Sequence, residues 1–307
     1  MANLKRGWKR SFCSVVKYIS FILCISFLPN EAEAEISLLT VEPGRIIYEL
    51  DGHTGLRFRS PQADIVVNWG VFDFAAPNFL YRFVKGETDY MAWPFPTELF
   101  ITEYAKQGRG ITEQILDLTP QEEERILQLV NENLLPQNRS YRYNYIYDNC
   151  ATRPLALIEK AVGAPIQIPD VQGMAYGETG ITDTHARHTF RGEMTLAHAD
   201  YPWYQFGIDM ALGSGLDKDI TPRERTFSPL YLRQALRNAT ITDSATGKNR
   251  KLVRQTQVIL PPAGRVTDLP TPWYLTPMFA SALLLVITLW ICARDLRRKR
   301  VTRWFDS

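Results

Sequence analysis

The stretch "YNYIYDNCATRP", residues 143–154, decides how this chain is read. Cys150 sits four residues ahead of a proline. The run that begins there, "CATRPLALIEKAVGAP", predicts a helix with Pro154 in its first turn and Gly163 at its end. A helix start offers free N–H groups and the positive end of the dipole, which favour a thiolate and can hold an oxyanion. The alternative is an inert, buried cysteine. Tyr141, Tyr143, Tyr145 and Tyr147 alternate ahead of it, a pattern that either lines a cleft or packs one face of a strand.

The termini show where this cysteine resides. "MANLKRGWKR" is a basic leader, "YISFILCISFLP" a short apolar run, and Ala32-Glu33-Ala34 a small-x-small cleavage pattern. Residues 1–34 thus read as a secretory signal, with an uncleaved anchor as the alternative. Residues 273–293, "WYLTPMFASALLLVITLWICA", are uncharged and of bilayer length, with Trp273, Tyr274 and Trp290 near the ends. "RDLRRKRVTR" follows, so the positive-inside rule makes 294–307 a basic cytoplasmic tail and places residues 35–272 outside. The expected location is a bacterial inner membrane, with a single C-terminal pass and the main domain periplasmic. Cys13 and Cys24 fall in the signal and Cys292 in the span, which leaves Cys150 alone in the exported body, with no intrachain disulfide.

The formal net charge of +2 hides a split. Residues 1–34 carry five basic and two acidic residues, 273–307 carry six and two, and the body between carries 24 and 29. A mildly acidic body argues against nucleic acid as a partner.

Along the body, "ISLLTV", "HTGLRFRS" and "DIVVNWGVFDF" read as strands, the last two as a hairpin, and "RIIYELDG" as a helical turn. "NFLYRFVKG" reads as a short helix, "DYMAWPF" and "TELFITEYAKQ" as strands, and "QNRSYRYNYIYDN" as a strand-like approach to the cysteine. Thr119-Pro120-Gln121-Glu122 is a capping box that opens a helix. "PWYQFGIDMALGSG" and "PRERTFSPLYLRQALRN" read as helical, "ATITD" and "RKLVRQTQVIL" as strands. The fold class is α+β. The expected divisions are a signal over 1–34, a core over 35–165, a helical C-terminal part over 166–260, a linker over 261–272, a membrane helix over 273–293 and the tail.

A thiol nucleophile needs a base, and the chain has four histidines. His53 follows a glycine at a strand start, where an imidazole can face a cleft. His185 and His188 lie in a polar loop and, with Asp183, form a weak metal set, so no metal and no cofactor are expected. His198 reads as a surface or capping residue. Asn68 and Asp73 could orient an imidazole, and Asn68 is the better placed.

Four blocks, "ELDGHTGLRF", "NWGVFDF…NFLYRFVKGETDY", "YNYIYDNCATRP" and "PWYQFGIDMALGSGLDKDITPRERTFSPLYLRQAL", resemble the Lnb N-terminal periplasmic domain family over about residues 40–238. The resemblance implies a permuted papain-like (NlpC-like) core, with an antiparallel sheet and a nucleophile helix. The histidine strand comes first and the cysteine helix last, as in lecithin retinol acyltransferase-type enzymes. It implies Cys150 as nucleophile, His53 as base and Asn68 as third residue, with Asn149 and Asp148 supporting the site or an oxyanion. Family members resemble lipoprotein N-acyltransferases. The implied function is membrane-anchored acyl transfer through a Cys150 thioester, with membrane lipid and lipoprotein as partners. The alternatives are a cysteine amidase or peptidase acting on cell-wall peptides, and a non-catalytic membrane-anchored scaffold.

Overall fold

A computed structural model describes residues 35–72, 82, 88–176, 181–182, 188–242, 247–264 and 271–299. The signal segment, the helix expected within 78–86, Asp73, Asp183, His185 and most of the tail lie outside the described residues. The described strands are β1 (Glu35–Val41), β2 (His53–Arg59), β3 (Asp64–Val71), β4 (Asp89–Pro96), β5 (Ile111–Leu116), β6 (Ser140–Arg142), β7 (Ile166–Gln167), β8 (Ala175–Tyr176), β9 (Ile181–Thr182), β10 (Thr240–Thr242), β11 (Asn249–Lys251) and β12 (Val253–Leu260). The α-helices are α1 (Thr97–Lys106), α2 (Pro120–Leu134), α3 (Thr152–Val162), α4 (Phe190–Ala197), α5 (Pro202–Ala211), α6 (Pro222–Arg225), α7 (Pro229–Leu236) and α8 (Pro277–Arg298). They fall into two compact units, Met1–Val171 with Ile220–Val266, and Gln172–Asp219 with Thr267–Ser307.

The first unit is built on a seven-stranded sheet in the order β12-β5-β1-β2-β3-β4-β6, antiparallel throughout. Both faces are covered, which is why every residue of β1 from Ile36 to Val41 is buried. Ile36 and Leu38 on β1, Leu56 and Phe58 on β2, and Val67 and Trp69 on β3 join one core, with Ile126 and Val130 of α2 and Leu155 and Ile158 of α3. The alternate residues Leu39, Val41 and Val66 pack on the other face with Phe100 of α1. The capping box forms as expected: Glu122 accepts from the Thr119 N–H at 2.8 Å, and the Thr119 hydroxyl accepts from the Glu122 N–H.

Two segments differ from the sequence reading. "TELFITEYAKQ" is helix α1, not a strand. Its Thr, Ile and Tyr content favours a strand, but Phe100 and Tyr104 at i and i+4 give one helical face, and Pro96 stops the preceding strand. "ITEQIL" forms the inner strand β5, between β12 and β1, with all six residues buried. Its polar residues mask it, yet each makes at least one hydrogen bond. Glu113 accepts from Ser37, Arg57 and Gln257 at 2.6, 2.8 and 2.8 Å, and Gln114 Nε2 donates to the Arg233 carbonyl at 2.9 Å. Buried polar groups cost desolvation unless bonded, so the three bonds to Glu113 favour one register, while Gln114 Oε1 has no partner among the described residues.

Residues 166–260 are largely helical, yet β10 pairs with both β7 and β11 in a small sheet, and β12 joins the main one. In the second unit β8 pairs with β9, and Arg191 on α4 bonds Asp209 at 2.8 Å and Asp217 at 2.6 Å, tying α4 to the end of α5 and to a 3-10 turn at Ser214–Asp217. His198 corrects the surface reading. It caps α4 but is fully buried, and its Nδ1 donates to Gln205 Oε1 at 2.8 Å. Helix α8 has 22 residues and a mean hydropathy of 1.8 over its most apolar window. At ~1.5 Å per residue it spans about 33 Å, enough to cross a bilayer.

Candidate active site

Three strands and one turn meet around Cys150. Gly52 turns the chain into β2 with φ +79°, and a Cβ there would stand 2.6 Å from the Val41 carbonyl oxygen, so only glycine fits. His53, the first residue of β2, pairs with Val41. Asn68 lies opposite Gly55 on β3. Gly55 has no side chain to fill the space, and Asn68 Oδ1 reaches diagonally to His53 Nε2 at 2.9 Å. An amide oxygen can only accept, so Nε2 carries the proton and Nδ1 keeps its lone pair.

Gly70 sits at an irregularity between β3 and β4 with φ +113°. A Cβ placed on it would lie 3.9 Å from Cys150 Cβ and 3.9 Å from His53 Cε1, so the two side chains flank the same glycine. The sulfur also meets the backbone N–H groups of Thr54 and of Cys150 itself.

The turn before α3 is held by Asn149. Its Oδ1 accepts from the N–H groups of Ala151 at 2.8 Å and Thr152 at 2.9 Å. Its Nδ2 donates to the carbonyls of Tyr145 and Phe227 at 2.7 and 2.9 Å. The Asn149 amide is thus committed to the turn, and so are two N–H groups that the sequence offers to an oxyanion. Cys150 lies two residues before the first helical residue, Thr152, rather than at the helix start itself. Asp148 is bonded to Arg153, whose guanidinium lies 3.4 Å from the Tyr141 ring centre.

The tyrosines divide. Tyr143 stacks on Tyr90 at 4.2 Å, and with Tyr104 and Tyr141 they surround the thiol. Tyr145 leaves this group and donates to Asp51 at 2.5 Å, joining the cysteine turn to the histidine turn. Tyr147 is exposed. Burial pushes the hydroxyls of Tyr90, Tyr104, Tyr141 and Tyr143 to higher pKa, so they stay protonated.

Burial also pushes the Cys150 thiol up to about 11, against the pull of the Thr54 N–H. It lowers His53 to about 4, partly offset by the bond to Asn68. The resting pair is therefore neutral, where the sequence suggests a thiolate. Desolvation outweighs the helix dipole because the thiol is buried.

Sequence reasoning did not find Arg109. It is buried behind Tyr104, with its guanidinium 4.9 Å from that ring, and its charge favours the Cys150 thiolate. Nε donates to the Glu42 carbonyl at 2.7 Å, while among the described residues Nη2 has no partner. The buried Tyr141 hydroxyl is likewise unpartnered. Nothing local in "KQGRGITEQ" marks the arginine, since it reaches the site only through the β5 register. His188 pairs with Glu193 at 3.1 Å in the second unit.

The class so defined is an α+β domain with a buried Cys–His–Asn cluster, in a chain that also carries one helix apolar enough to span a membrane. Residues 30–175 match the family model described as Lnb N-terminal periplasmic domain. The match covers the histidine strand and the cysteine turn but stops short of the block at 202–236. Family and apolar helix together fit a membrane-anchored periplasmic protein. No curated protein and no solved structure matches the chain.

Proposed function

We propose that this protein is a thiol acyl-transfer enzyme, with Cys150 as nucleophile, His53 as base and Asn68 as the residue that orients the base. The observation that carries this reading is the His53 bond to Asn68: Nε2 is held by the amide oxygen, which leaves Nδ1 to act as a base on a ring that flanks Gly70 together with Cys150. The order of His53 before Cys150 and the antiparallel sheet support a permuted papain-like core.

In the proposed reaction, the thiol proton passes to His53 Nδ1 as sulfur attacks an acyl carbonyl carbon. The neutral resting pair means that transfer and attack are coupled, rather than starting from an ion pair. The N–H groups of Cys150 and Thr54 are the donors nearest the developing oxyanion. The imidazolium returns its proton to the leaving group, and a thioester remains. An amine, or water in the amidase reading, then attacks the thioester and loses its proton to His53, which hands it to the departing thiolate. Arg109 Nη2 and the Tyr141 hydroxyl, buried without partners, are groups that a polar substrate would satisfy. A membrane lipid as donor and a lipoprotein amine as acceptor fit a protein with an apolar helix of bilayer length.

The assay is acyl release from labelled lipid by the full chain in vesicles. Cys150→Ser should abolish it with the circular dichroism spectrum unchanged, and His53→Gln should lower it by about 10²–10⁴-fold. Full activity in Cys150→Ser would sink the mechanism. The neutral pair equally favours a non-catalytic scaffold, which predicts a thiol inert to a mild alkylating probe at neutral pH in the presence of lipid.

A further inference from the structure

Helix α5 carries an unpaired apolar stripe. Trp203, Phe206 and Met210, at i, i+3 and i+7, are 51%, 44% and 75% exposed. Gly207 lies in the same arc, and a Cβ there would meet nothing within 4 Å. The other side of the helix is anchored: Gln205 is buried against His198 and donates to Asp209, which holds Arg191. The stripe therefore cannot be turned inward without breaking that chain of bonds.

Its position gives it an occupant. Trp203 Nε1 donates to the Leu275 carbonyl at 2.6 Å. Leu275 ends the 3-10 turn Trp273–Leu275, directly before α8, and α5 packs against α8. Trp273, Tyr274 and Met278 are exposed beside it. The stripe is thus continuous with the aromatic collar at the outer end of the apolar helix, at the depth where Trp and Tyr settle in lipid headgroups. A helix with one apolar face and a bonded polar face is built to lie in that plane.

We propose that α5 is an interfacial helix, with Trp203, Phe206 and Met210 buried in the headgroup region of the outer leaflet of the membrane that α8 crosses. It rests on α8 spanning the bilayer. A helix held flat beside the span would fix the second unit against the surface, instead of leaving it to swing on a single pivot.

The test places an environment-sensitive fluorophore at Met210→Cys in the full chain, with its native cysteines replaced by serine, in phosphatidylethanolamine/phosphatidylglycerol vesicles. A second sample carries the label at Leu285→Cys. Lipids with nitroxides near the headgroup should quench the Met210 site several-fold more than nitroxide-free lipids do, and Phe206→Asp should remove that quenching. Deep nitroxides should quench Leu285. An unquenched Met210 beside a quenched Leu285 overturns the interfacial helix alone. A Met210 label shielded from both lipid and aqueous quenchers is covered by protein and overturns it too. If neither site is quenched, the membrane anchor falls with it.

Discussion

His53 is the residue on which the chemistry turns, and its environment sets its pH behaviour. Only the neutral imidazole can take the thiol proton, and burial lowers its titration to about 4. Cys150, raised to about 11, stays a thiol through the neutral range. The rate should therefore hold level from about pH 6 to 9 and fall only as pH drops through about 4. A preformed ion pair would instead lose activity as the imidazolium deprotonated in mild alkali, so kcat/KM against pH distinguishes the two. Asn68→Asp puts a carboxylate on Nε2, favours the imidazolium, and should move the acid limb upward. The same shift touches stability. The unfolded chain binds a proton at His53 near pH 6.5 and the folded chain only near 4, so stability from this residue is present above about 6.5 and lost between there and 4. The difference is at most about 3 kcal/mol. His53→Asn should flatten that part of the denaturation midpoint against pH. The pairing of His53 with Asn68 was legible in the sequence because both lie on one hairpin with a countable register. Arg109 was not, because its approach to Tyr104 depends on strand β5 and helix α1, which sequence propensity misread or passed over.

Elements bring these residues together only if their joints hold. Gly52 is the tightest joint, with positive φ and a carbonyl 2.6 Å from where a Cβ would stand. Gly52→Ala should destabilise the fold by about 1–3 kcal/mol and displace His53, read as a lowered thermal midpoint together with reduced activity. Gly70→Ala meets only ordinary contacts at 3.9 Å, but its φ of +113° suits glycine alone, so it should lower both the thermal midpoint and the activity, its Cβ standing against Cys150 and His53. The turn at Asn149 was expected to offer N–H groups to an oxyanion. Asn149 Oδ1 takes up the N–H groups of Ala151 and Thr152 instead, in an orientation fixed in part by the Phe227 carbonyl, which no local pattern displays. Helices α2 and α3 were readable from their punctuation, a capping box in one and Pro154 with Gly163 in the other. Helix α1 lacks a side-chain cap, and its content of Ile, Thr and Tyr pointed the other way.

At the scale of the whole chain, the apolar helix and the basic residues after it call for one topology. The chain should resist alkaline extraction from membranes, and a tag at Ser307 should be protected from protease added on the exported side. Cleavage of that tag would reverse the orientation. The sequence displays this organisation plainly because a bilayer imposes a length and a charge rule that a soluble core does not. It does not display the return of residues 253–260 to the main sheet, a pairing with β5 across more than a hundred residues of chain. The central claim, that Cys150 takes up an acyl group, is open to direct weighing. Full-length protein, wild type and Cys150→Ala, is incubated with membrane lipids and its intact mass recorded. The account predicts a gain of one acyl chain in the wild type, removed by neutral hydroxylamine and missing from Cys150→Ala. An unmodified wild type, or the same adduct on Cys150→Ala, would contradict it.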